Sequence, residues 1–149
     1  MPYGGEDCET PGIIRLRKLL KRTSVPSNRK WSKAGYSRAV RVGSIIEVAG
    51  TSSSGPDGQI LHTGDMYAQS KRCMDIIISA VEQLGGSVHD IVRTRVFLTD
   101  MSLWTEAGRA HGEAFADVEP QPASAFLGTS ELLHPDLMVE IEATAILDG

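Results

Sequence analysis

Two acids two residues apart, Glu140 and Glu142, interrupt an otherwise apolar stretch. On a strand both point the same way. One of them buried beside a cleft would hold its proton more tightly and could orient a water molecule. The alternative is a pair of solvent-facing acids. Tyr36 opens the first strand-like pattern, where a phenol either lines a site or edges the sheet. His111 titrates near neutrality and could act as a general base. On an apolar helical stripe it is otherwise a hydrogen-bonded core residue. Gly50 marks close backbone approach by a ligand or another strand, and Thr51 and Ser52 offer donors beside it. Three arginines could bring a guanidinium to such a site. Arg93 and Arg95 otherwise make sheet-face ion pairs with Glu140 or Glu142, and Arg109 is otherwise a solvated helix residue. His62, His89 and His134 are scattered in loops and receive no role.

Other chemistries lack their signatures. CxxC, HExxH, a Walker loop and GxSxG are all absent, so no cofactor is expected. No His, Cys or carboxylate pair has metal-ligand spacing. The 149 residues suit one domain, at roughly 100–200 residues each. A hydrophobic fraction of 41% with 23% charged residues is that of a globular protein, not a disordered one. No apolar run approaches the ~18 residues of a membrane span, and acids precede any apolar stretch at the N-terminus, the wrong order for a signal peptide. Two cysteines, Cys8 and Cys73, make no disulfide framework, so a cytoplasmic protein with reduced thiols is expected. Charge is uneven. Residues 1–35 carry eight Lys/Arg against three Asp/Glu, net +5, and the remainder seven against sixteen, net −9. The first segment reads as a basic extension, with Ile13, Ile14, Leu16, Leu19 and Leu20 at helical spacing. It is also the one stretch suited to nucleic acid. The breaker cluster Ser24-Val25-Pro26-Ser27-Asn28 marks its boundary, and the domain proper spans 36–149.

The elements that must position these residues follow from periodicity. Alternation over 38–42, a turn at Gly43 and the β-branched run over 44–49 predict a hairpin. Residues 50–58 form a loop ending in Pro56-Asp57-Gly58, followed by a short strand over 59–61. A helix over 66–84 is capped by Thr63 or Asp65 and ended by Gly85-Gly86. A strand follows over 91–98, with Ile91, Arg93, Arg95 and Phe97 on one face. A second helix over 103–116, capped by Asp100 or Ser102, turns Trp104, Ala107, His111 and Ala114/Phe115 inward. Strands over 124–129 and 138–147 complete a β-β-β-α-β-α-β-β order. Both helices should cover one face of a mixed sheet, an α+β sandwich.

Residues 36–145 resemble the Rid (YjgF) family of reactive-intermediate deaminases, also termed endoribonuclease L-PSP-like. The resemblance rests on Tyr36-Ser37-Arg38-Ala39-Val40 with Gly43, Val48-Ala49-Gly50-Thr51, Gly64-Asp65 with Gln69, the run from Val92 to Met101, Pro122-Ala123-Ser124, and the run from Val139 to Ala143. It implies a chorismate-mutase-like fold, a homotrimer with an inner β-barrel, and a small-molecule site in each cleft between subunits.

The family activity so implied is hydrolysis of enamines and imines to ammonia and a 2-keto acid, as by 2-iminobutanoate/2-iminopropanoate deaminases. That chemistry needs a cation for the substrate carboxylate, ideally a bidentate arginine, and a group that positions water. Ser124 stands where the family motif has its arginine, and Gly108 where it has an asparagine. Gly50, Tyr36 and Glu140 match. Tyr36 and Glu140 are thus the catalytic candidates, and Gly50, Thr51, Ser124, Arg109 and His111 the substrate-binding ones. Weak hydrolysis, a non-catalytic ligand-binding trimer, and the endoribonuclease or translation inhibitor of the older name are the functions in play.

Overall fold

A computed structural model of the chain describes residues 21–28 and 32–148. Its strands are β1 (Arg22–Pro26), β2 (Ser37–Val42), β3 (Ile45–Ser52), β4 (Ile91–Leu98), β5 (Ala123–Gly128) and β6 (Val139–Ile146). Its helices are α1 (Met66–Gln83) and α2 (Trp104–Ala114). The strands form one sheet in the order β1-β2-β3-β6-β4-β5. Every pairing is antiparallel except β4 with β5. This is the α+β architecture the periodicity predicts.

Local chemistry sets the boundaries. Asp65 caps α1 by accepting from the Ala68 N–H at 2.9 Å. At the other end Gly85 takes φ +91°. Its N–H reaches the Glu82 carbonyl, and that of Gly86 the Val81 carbonyl, both at 3.0 Å. This pair of bonds closes the last turn as a left-handed C-terminal glycine allows. Gly43, at φ +62°, turns β2 into β3.

One sheet face meets the helices. Ile46, Val48, Val96, Leu98, Val139, Ile141, Ala143 and Ala145 project from it, against Cys73, Met74, Ile77 and Val81 of α1 and Ala107 of α2. Cys73 is fully buried, and burial pushes its thiol far above the usual range. Gln69, also fully buried, ties α1 to the approach to β6. Its Nε2 donates to the Asp136 carbonyl at 2.8 Å, and its Oε1 accepts from the Met138 N–H at 2.9 Å. A second tie joins α2 to the sheet. His111 Nε2 lies 2.8 Å from Thr94 Oγ1, which donates to Ser124 Oγ at 2.7 Å. Among the described residues the opposite face carries no helix. Val42, Ile45 and Ile146 are exposed there, beside the Arg95–Glu142 ion pair at 4.0 Å.

Four expectations are corrected. The strand over 59–61 reduces to a single bridge between Ser54 and Ile60, because the loop folds on itself through Gly55 and Gln59. The strand β1 pairs with β2 inside the stretch read as an extension; its polar Arg-Thr-Ser hid it, and Val25 packs on the core. The amphipathic segment around Ile13–Leu20 lies outside the described residues. Ile91 is buried, not on the Arg93 face, because a bulge between Ile91 and Arg93 resets the alternation and exposes Val92. Trp104, expected inward, is half exposed, and Ala110, not among the expected inward residues, is buried instead. A 3₁₀ turn, Met101–Leu103, delays the start of α2 and rotates its face.

Replacing Gln69→Leu strands one buried carbonyl and one N–H. Denaturant unfolding of this variant should show a loss of about 2–4 kcal/mol. Burial holds the His111 imidazole below its usual 6.5, so the unfolded chain takes up that proton more readily. Stability is therefore full above pH 6.5 and declines as pH falls through the lowered native value. Urea midpoints measured across this range should flatten in His111→Gln.

Candidate functional site

Two polar clusters stand on opposite faces of the sheet. The first surrounds Glu140. Side-chain alternation along β6 sends Val139 and Ile141 into the core and Glu140 the other way. The strand β3 makes room for it. A bulge between Val48 and Thr51 shifts the β3–β6 register there, and Gly50 lies under the carboxylate. A Cβ at position 50 would collide with Glu140 Oε1, so any other residue there must push the carboxylate from its seat. Tyr36, Arg38, Ser52, Ser54, Leu133 and Leu137 complete the wall of a cavity of about 340 Å³.

Electrostatics at this cavity are mixed. Burial raises the Glu140 pKa first, and Glu142 raises it further, while the Arg38 guanidinium pulls it down. Arg38 Nη1 donates to the Gly50 carbonyl at 3.1 Å and to Thr51 Oγ1 at 2.8 Å. Thr51 in turn donates to the Ala49 carbonyl at 2.7 Å. Thr51 is thus fully buried and supports Arg38; it does not line the cavity itself. A half-buried carboxyl beside a phenol and a guanidinium can hold a water molecule or a polar ligand group.

The second cluster is the Ser124–Thr94–His111 chain. Thr94 spends its proton on Ser124, so the contact with His111 calls for an Nε2–H imidazole that donates to Thr94. The ring packs against Phe115 and Phe126, at centroid distances of 4.8 and 5.6 Å. Ser124 itself is exposed on the edge strand β5.

The structure thus gathers Tyr36, Gly50 and Glu140, with Thr51 behind them. It gathers Ser124 and His111 separately. Arg109 joins neither group. It stacks over the Tyr67 ring at 3.6 Å and pairs with Glu113 at 3.9 Å. Arg95 pairs with Glu142, as one sequence reading held. Arg93 keeps a buried Nε with no partner among the described residues. The arginine beside Glu140 is Arg38, which the sequence reading passed over. Its signal was present: Arg38 lies two residues from Tyr36 and opposite in phase to the buried Ala39.

Comparisons with known proteins agree with this architecture. Residues 27–147 match the family model described as Endoribonuclease L-PSP. A RutC family protein of Pyrococcus abyssi is 33% identical over 110 residues, which cover 74% of this chain and 84% of that protein. The crystal structure of Rv2704 from Mycobacterium tuberculosis, a member of the YjgF/YER057c/UK114 family, is 39% identical. It aligns with TM-score 0.75 over 85% of this chain and 100% of its own. The YjgF gene product of E. coli is 26% identical with TM-score 0.71, over 83% and 93% of the two chains. Sequence blocks, sheet order and these matches together make the chain a member of the endoribonuclease L-PSP (YjgF/Rid) family.

Proposed function

We propose that three copies of the chain close into a ring through their uncovered sheet faces, and that the clefts between them bind a small polar metabolite. The observation that carries this reading is the Glu140 carboxyl, half-buried over Gly50 in a cavity with Tyr36 and Arg38. Assembly is supported by the exposed Val42, Ile45, Ile146 and Leu127, apolar area that association would remove from water. Such a ring also offers a way to bring the Ser124 edge of one chain to the Glu140 cavity of the next.

In such a cleft Glu140 would accept a proton from a water molecule adding to an imine carbon. Glu140 then returns that proton to the nitrogen, the new hydroxyl gives up its own proton to it, and the carbon–nitrogen bond breaks, so that ammonia leaves and a carbonyl remains. Ser124 gives the reaction no charge for a substrate carboxylate. Its Oγ is already an acceptor for Thr94. Imine hydrolysis is therefore weak, and binding is the dominant property.

Sedimentation should give a mass three times that of the chain. Ile45→Glu, on the uncovered face, should give a folded monomer; an unchanged trimer would place the interface elsewhere. With freshly generated 2-aminoacrylate, the native protein should release keto acid only slowly. Ser124→Arg should raise that rate about tenfold or more, the worth of a charge-assisted hydrogen bond of about 1.5–3 kcal/mol. Glu140→Gln should abolish the gain. Because burial raises the Glu140 pKa, wild-type stability falls as pH rises through the native value. Glu140→Gln loses that slope and remains folded at neutral pH. A high native rate without the arginine would refute the binding emphasis.

A further inference from the structure

Arg38 also walls a second hollow, of about 220 Å³. Arg72 of α1 faces the same space, with Ser54, Gly55, Pro56 and Ile76 around them. Both guanidiniums are fixed by neutral acceptors. Arg38 is held by the Gly50 carbonyl and Thr51. Arg72 is held through Nε by the Ser54 carbonyl at 3.0 Å. Among the described residues no carboxylate lies within ion-pair distance of either. The Arg72 Nη groups donate to no described residue. Yet residues 36–149 carry sixteen acids against seven bases.

Two like charges sharing one hollow repel each other; Glu140 acts on Arg38 from the neighbouring cavity, and no carboxylate of the described residues lines this hollow itself. Each planar fork is held in place before any ligand arrives, so little side-chain freedom remains to be lost on binding. A group of a few oxygen atoms fits, since a water molecule occupies about 30 Å³. We propose that this hollow is a binding site for a small oxyanion, a phosphate or carboxylate group held between Arg38 and Arg72.

The test is calorimetric titration of the full chain at fixed ionic strength, with inorganic phosphate in one arm and acetate in the other. Saturable binding of phosphate alone assigns a tetrahedral oxyanion; binding of acetate as well assigns a carboxylate group. Arg72→Gln should weaken binding at least tenfold, and Arg72→Lys, which keeps the charge without the fork, should weaken it less. Lys71→Gln removes the same charge from an exposed neighbour that pairs with Asp75, and should leave the affinity within twofold. Equal losses in Lys71→Gln and Arg72→Gln would overturn the site, as would the absence of saturable binding of either anion. The readout involves no turnover, so it stands whether or not the Glu140 cavity is catalytic.

Discussion

The antiparallel pairing of β3 with β6 governs the rest of the molecule. It places an acid-bearing strand at the centre of the sheet, where every second side chain must enter an apolar core. Glu140 and Glu142 are tolerated because they fall on the alternate phase. The bulge at Gly50 then lets one carboxylate settle against the neighbouring backbone without a steric clash. A single-residue slip would drive both acids among Ile77, Met74 and Val96, with a burial cost no local contact could offset. The site and the core therefore share one register.

Charge is distributed by the same geometry. Between the helices and the sheet two polar groups close into circuits: Gln69 to two backbone groups, and Thr94 between Ser124 and His111. The uncovered face holds ionic side chains whose partners are partial or absent, Arg95 with Glu142 at 4.0 Å and Arg93 with a buried Nε. Closed circuits stiffen a core. Unclosed ones leave donors and acceptors for another molecule. Ser124, although exposed, thus anchors α2 against the sheet through Thr94 and His111, while Arg38 walls two hollows.

Periodicity made most of the fold legible. The hairpin at Gly43, the helix between Asp65 and Gly85, and the alternation of the last strand all follow from local chemistry. What escaped was set by tertiary context. The short polar β1 gains its strand character from pairing with β2. The bulge after Ile91 reverses one face without changing any propensity. The 3₁₀ turn before Trp104 rotates a helix by a fraction of a turn. For the site, Glu140, Tyr36 and Gly50 were readable as types at spacings. The phase of Arg38 was readable too, but alternation tells which face a side chain leaves, not how far a long one reaches along it. The separation of Ser124 from Glu140 depends on which strands neighbour each other, information that no single segment carries.

The burial of Cys73 has a practical meaning. A sulfur sealed between α1 and the sheet, with its proton held tightly, is shielded from electrophiles and oxidants while the domain stays closed. Alkylation at that position becomes a clock for opening of the interior, and the molecule carries a built-in gauge of how often its two layers part.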